Sequence, residues 1–310
     1  MTEEQSLQKK LLPPLSEKIK RTFSANTIFV WSFMITLAVT DACWAQYDGM
    51  TVLASNMFLT KSIICLLLAA IICKHLLKRD MPAQLTHMAA VICVFLPLSY
   101  ILSYLAVSAH YPLIDSRLAA ADRALGLGWP ASYHWVNAHP RILVILSKAY
   151  DSFTAQFLAL LALFFWQERY DRGWELIWLS MLCCVACVLV SIPFPAAGAF
   201  HYYGIPGRNA YVRVFMALHQ GHLKIIGNRH LKGIIQFPSF HTMMAVVLAY
   251  SARGFGLLSI GYVLLNILVL VSAPYLGGHH YADIWGGLVL ALAVILAERH
   301  VCARLLKKTF

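Results

Sequence analysis

Two short strings in this sequence combine residue types able to handle an anion. The first is Gln236-Phe237-Pro238-Ser239-Phe240-His241-Thr242, immediately ahead of an apolar run. Pro suits the first turn of a helix, and a Ser hydroxyl at a helix start satisfies N–H groups that lack a partner. The remaining free N–H groups and the helix dipole make such a terminus an anion site, which His241 would face. The second string is Gly277-Gly278-His279-His280-Tyr281-Ala282-Asp283, again ahead of an apolar run. His279 and Asp283 stand at i and i+4, so a helix would carry them on one face. A carboxylate beside a histidine fixes its tautomer and stabilises the charged ring, the arrangement of a catalytic dyad. The glycines would let backbone or ligand approach closely. Each string alone also has a structural reading: a capped helix with an interfacial His, and a His–Asp pair that only holds helices together. His280 would point about 100° away from His279 around a helix, which makes it a pocket wall or an interfacial residue.

The elements that must position these strings follow from composition. Of 310 residues, 60% are apolar and 13% carry charge, against roughly a quarter charged in soluble domains. Apolar runs cover about 27–47, 59–78, 86–108, 142–166, 174–197, 239–253, 257–276 and 281–301. Most approach the ~20 residues that a spanning helix needs, so the expectation is an all-α integral membrane protein with about eight transmembrane helices. The net charge of +11 sits largely in clusters that flank those runs, such as Lys9-Lys10, Lys18 to Arg21, Lys74 to Arg79 and Arg304 to Lys308. That placement fits cytoplasmic anchors and argues against a nucleic-acid partner. The cysteines lie in or beside the apolar runs, and Cys183, Cys184 and Cys187 read as small apolar side chains rather than a disulfide or zinc framework. The first ~25 residues are polar and basic without a small-residue cleavage site, so the first run reads as a retained anchor.

Alternation of the basic flanks puts both termini in the cytoplasm. Residues 1–26 and 304–310 are then cytoplasmic basic tails, 27–80 two N-terminal transmembrane helices, and 81–303 a catalytic transmembrane core. Loops 109–141 and 198–238 fall on the extracytoplasmic side. The two strings are separated by two runs, so both open on that same side. Within the first loop, Asp115 to Pro140 resembles an amphipathic surface helix broken by Gly126, Gly128 and Pro130; Leu118, Ala121 and Leu125 form its apolar face, and Asp115, Arg117, Asp122 and Arg123 its polar face. Tyr202, Tyr203 and Tyr211 read as anchors at the membrane interface. Asp41, Lys148, Asp151 and Gln156 are polar residues inside the runs, and Tyr150-Asp151-Ser152 either line a cavity under the site or hydrogen-bond between helices.

These strings carry a family resemblance. Phe237-Pro238-Ser239-Phe240-His241 resembles the Pro-Ser-x-His signature of the type 2 phosphatidic acid phosphatase superfamily, and His279 to Asp283 resembles its His-x-x-x-Asp signature. The stretch from Asp115 to Trp129, Phe194-Pro195-Ala196, Gly233-Ile234-Ile235 and Gly277-Gly278 are similar to its inositolphosphotransferase-like (inositol phosphorylceramide synthase-like) branch. The resemblance covers roughly residues 85–300 and leaves the first two helices outside a six-helix core. It implies His279 as a nucleophile that forms a phosphohistidine, Asp283 as its orienting partner and His241 as the general acid. It also implies Ser239 and nearby N–H groups as holders of phosphate oxygens, with no metal and no cofactor. The partners implied are the bilayer and a membrane lipid phosphate or pyrophosphate.

Two features depart from that pattern. Ser272-Ala273 stands where the superfamily has Ser-Arg, and its Lys-x6-Arg-Pro motif is absent. Arg208, Arg213, Lys224, Arg229 and Lys232 are the alternative phosphate-binding residues, arginine being the better bidentate partner. The expected function is a lipid phosphatase at the extracytoplasmic face, with lipid headgroup transfer by the same histidines as the alternative. A transporter would call for more charge inside the spans and for inverted repeats. A non-catalytic scaffold has only the missing arginines in its favour.

Overall fold

The computed structural model describes residues 15–53, 57–77, 80–206, 210–227 and 233–308. Residues 1–14 of the basic tail lie outside it. The chain is 76% helical with almost no sheet, an all-α integral membrane protein. In chain order the elements are α1 (Leu15–Tyr47), β1 (Thr51–Leu53), α2 (Met57–His75), α3 (Asp80–Val107), α4 (Asp115–Ala124) and α5 (Trp129–Asn137). There follow α6 (Pro140–Asp151), α7 (Phe153–Trp166), α8 (Tyr170–Ser191), α9 (Ala199–Tyr202), α10 (Ala210–His219), β2 (Ile225–Gly227), α11 (Phe240–Ser251), α12 (Leu257–Leu276) and α13 (Tyr281–Lys308).

Among the described residues, Thr27–Tyr47, Met81–Val107, Tyr170–Ser191, Leu257–Leu276 and Tyr281–Val301 are long and apolar enough to cross a membrane. The run expected as one span over 142–166 is instead the pair α6 and α7, bent by 46°. Polar side chains mark the break: Ser152 Oγ donates to the Ala149 carbonyl at 2.6 Å, and Gln156 Nε2 donates to Ser152 Oγ at 2.8 Å. Side-chain hydrogen bonds of this kind compete with the helical ladder and bend it. The run at 239–253 also differs from expectation. Helix α11 has 12 residues, which rise about 18 Å at 1.5 Å each, well short of a ~30 Å hydrocarbon core. Ahead of it Gln236, Pro238 and Ser239 run non-helically yet lie buried within the protein, the condition under which irregular backbone persists at membrane depth.

Helix α11 packs against α8, α12 and α13, and α6 lies along α12. Helix α3 covers the outer side of α8, with α1 and α2 packed against α3. The main core joins Phe164, Leu176, Leu179, Met243 and Val247. Near the extracytoplasmic loops of the sequence reading, β1 and β2 form a short parallel pair with Thr51 opposite Ile225. A polar bridge crosses the helices: Asn266 Nδ2 donates to Gln156 Oε1 at 2.7 Å, and the Tyr262 hydroxyl donates to the Gln156 carbonyl at 3.0 Å. An Asn266→Leu variant strands the Gln156 amide; its thermal unfolding in detergent should show a loss of about 1 kcal/mol, the scale of interhelical hydrogen bonds in membranes.

Candidate active site

The start of α11 is built as its residue types dictate. Ser239 is the N-cap, with φ −70° and ψ 111°, and its Oγ accepts from the Thr242 N–H at 3.3 Å. Its own N–H donates to the Asp283 carbonyl at 3.0 Å, which ties this cap to the start of α13. The two helices approach so closely at Gly287 that a Cβ there would lie 2.5 Å from the Ser239 carbonyl oxygen.

Asp283 is fully buried and closes the turn before α13: its Oδ2 accepts the His280 N–H at 2.8 Å and lies 3.3 Å from His279 Nδ1. His279 Nδ1 also lies 3.0 Å from the Gln236 carbonyl. With two acceptors facing it, Nδ1 carries the proton, and the lone pair of the neutral ring is on Nε2. Ser239 Oγ is 3.4 Å from that Nε2. The His241 ring centre stands 6.5 Å from that of His279, roughly two reacting-atom distances of ~3–3.5 Å, so one phosphoryl group can touch both rings. Four residues singled out in the sequence, Ser239, His241, His279 and Asp283, thus converge at the joined starts of α11 and α13.

Further side chains complete the site, and the sequence alone left them undecided or misread them. Tyr150 lines it: its ring stacks on His241 with centroids 4.3 Å apart, and its hydroxyl lies 3.3 Å from His241 Nδ1. Trp129, fully buried, donates from Nε1 to the His279 carbonyl at 3.0 Å. Tyr203 and Tyr211, expected only as membrane-interface anchors, also pack on the residues that surround the site. Tyr203 stacks on Trp129 at 5.0 Å, and the Tyr211 hydroxyl is buried beside Gly198 and Gly278. Burial, with Asp283 and Asp115 nearby, pushes that hydroxyl above the usual tyrosine range.

Two sequence expectations are corrected. Asp115 and Asp122 do not form a solvated face of α4; they are 5% and 0% exposed. His280 is not an interfacial residue: it is fully buried, with Nε2 3.6 Å from Asp115 and Nδ1 3.5 Å from Asp122. Residues 278–280 precede α13 rather than belonging to it, so the helix rule does not set the direction of His280, and α4 fills the space its ring enters. Of the basic residues expected to bind phosphate, Arg213 is exposed on α10, whereas Arg208, Arg229 and Lys232 lie outside the described residues.

Fold and site together define a polytopic membrane protein with a paired-histidine centre at the joined ends of two helices. The model of the PAP2 superfamily matches residues 116–297, and the chain belongs to that superfamily. Membership gives it phosphoesterase-type activity on lipid phosphates. No curated protein and no solved structure matches the chain.

Gly278 has φ +73°, and a Cβ on it would meet the Phe200 ring at 2.5 Å and the Tyr211 hydroxyl at 2.8 Å. Gly278→Ala should therefore destabilise the protein by more than the ~1–3 kcal/mol of the backbone conformation alone. Thermal unfolding, measured beside activity, should show both falling.

Proposed function

We propose that this protein is a lipid phosphatase that works through a phosphohistidine on His279, at the extracytoplasmic face of a cell membrane. The observation that carries the reading is the convergence of His279, Asp283, Ser239 and His241 on one small volume. Nε2 of His279 attacks phosphorus, and the bond from phosphorus to the lipid oxygen breaks. Burial and the neighbouring His279 hold the free His241 ring well below the ordinary histidine range, at about 3. It therefore takes up the proton that a monoanionic lipid phosphate brings into the site and gives it to that leaving oxygen. In the second half-reaction His241 takes a proton from water, whose oxygen attacks phosphorus; the N–P bond breaks and inorganic phosphate leaves. Asp283 and the Gln236 carbonyl hold the Nδ1 proton of His279, which stabilises the cationic ring formed in the first step. Ser239 Oγ and the free N–H groups at the start of α11 face the phosphoryl oxygens. The basic flanks of the apolar runs support cytoplasmic termini and an extracytoplasmic site.

The test uses the full-length protein in detergent with phosphatidic acid as substrate. Radiolabelled substrate should leave an acid-labile phosphoenzyme in the wild type and none in His279→Ala, and both His279→Ala and His241→Ala should lose at least roughly 10³-fold in kcat. Phosphate release that survives both substitutions refutes the mechanism. Added glycerol separates hydrolysis from headgroup transfer: a phosphatase keeps inorganic phosphate as its main product, whereas a transferase of the inositolphosphotransferase-like kind diverts phosphoryl groups to the alcohol. Tyr150→Phe keeps the stacking on His241 but loses the hydroxyl that orients its tautomer. Its kcat should fall about tenfold, part of the ~10²–10⁴ that general acid–base catalysis contributes.

A further inference from the structure

His280 has no part in the mechanism above, yet it sits within a buried charge cluster that grips the site. Asp115 and Asp122 are seven residues apart, two turns on one face of α4. Each carboxylate spends both oxygens on backbone. Asp115 accepts from Gly198 N at 2.7 Å and Ala197 N at 2.9 Å, and Asp122 accepts from Ala282 N at 2.8 Å and Tyr281 N at 3.0 Å. The two gripped segments are themselves joined, since Ala199 N donates to the Gly278 carbonyl at 2.7 Å. Helix α4 therefore clips the chain on either side of His279.

Two buried carboxylates so placed are costly unless a cation lies between them. The groups facing His280 are few. Asp115 and Asp122 come from α4, and Arg123 of the same helix is exposed and engages Tyr203. Tyr202 and Tyr203, at the end of α9, have ring centres 5.7 and 6.0 Å from the imidazole. Tyr211 comes from α10, Tyr281 and Asp283 from α13, and His279 is adjacent in the chain. Burial by itself lowers the imidazole's affinity for a proton, but the three carboxylates outweigh it and hold the pKa at about 9.

We infer that His280 is a positioning residue: as a cation between Asp115 and Asp122 it offsets their buried negative charge, and through their grip on the backbone it fixes the loop that presents His279. The inference rests on the reading of His279 as the reacting group. Without the cation, the buried negative charge of the pair is left uncompensated, and its hold on the backbone N–H groups loosens.

A folded-state pKa of about 9 lies above the ~6.5 of an unfolded histidine, so this contribution is complete below ~6.5 and is lost as pH rises through about 9. The test compares wild type, His280→Gln and His280→Lys, which keeps a cation between the two carboxylates, each purified full length in detergent. Tm is followed against pH, and kcat and KM are measured with phosphatidic acid. Wild-type Tm should step down through about pH 9, and His280→Gln should lack the step. At neutral pH His280→Gln should lose roughly 10- to 100-fold in kcat with KM little changed, the scale of a displaced catalytic group. Restoring the cation in His280→Lys should recover most of that kcat, or recover folded protein if His280→Gln alone does not fold. A His280→Gln protein with wild-type kcat and an unchanged Tm step overturns the inference, as does a His280→Lys protein no better than His280→Gln. If His279→Ala keeps its activity while the Tm step and the rescue persist, the proposed mechanism fails and the charge cluster stands as a loop lock alone.

Discussion

A carboxylate at the mouth of a transmembrane helix, out of reach of water, persists only where the protein supplies its partners. Asp283 is held in that way. It takes one hydrogen bond from the backbone N–H of His280 and faces the ring nitrogen of His279, and its carbonyl takes the N–H of Ser239. Those contacts close the turn before α13, orient the imidazole and bind the start of α11 to the start of α13. Removing any one of them would leave a buried polar group unpaired, which costs more than a hydrogen bond gains. The geometry of the site thus follows from the partners taken by Asp283 Oδ2 and by the Asp283 backbone carbonyl, while the buried Oδ1 has no hydrogen-bond partner among the described residues.

The same economy explains helix α4. Its acidic residues turn inward because the loops at 196–199 and 277–282 present backbone N–H groups with no helical or sheet partner. Asp115 and Asp122 supply those partners, and His280 supplies the compensating charge. The glycines belong to this arrangement. Gly198 has φ +91°, and a Cβ on it would lie 2.8 Å from the Gly278 carbonyl oxygen, so the two loops touch only because neither carries a side chain there. Trp129 and Tyr203, stacked at 5.0 Å, close the outer side and back the His279 carbonyl. Short surface helices that sequence patterning marks as a cap over the bundle are the scaffold of its site.

Much of this was legible in the sequence. Long apolar runs fixed the membrane class, because a chain so poor in charge has no soluble core large enough to hide them. The i, i+4 spacing of His279 and Asp283 and the Pro-Ser start before His241 are local features, and local features survive folding. The break at Ser152 and the shortness of α11 were not legible, because apolar composition reports that a segment avoids water and says nothing of where a helix bends or ends. The inward turn of Asp115 and Asp122 escaped for a related reason: amphipathic patterning assumes that the polar face meets solvent.

The sequence by itself determined an all-α membrane protein, and its motifs singled out Ser239, His241, His279 and Asp283, which the fold brings together. Long apolar runs and short motifs are local features, and they are enough for each of these. Only the tertiary structure decided what His280, Tyr150, Tyr211 and Trp129 do. Their partners are Asp115 and Asp122, His241, the glycine loops and the His279 carbonyl. Tyr211, for one, stands 67 residues before Gly278 in the chain. Contacts over such separations depend on how whole helices pack and on which backbone groups the packing leaves in need of a partner.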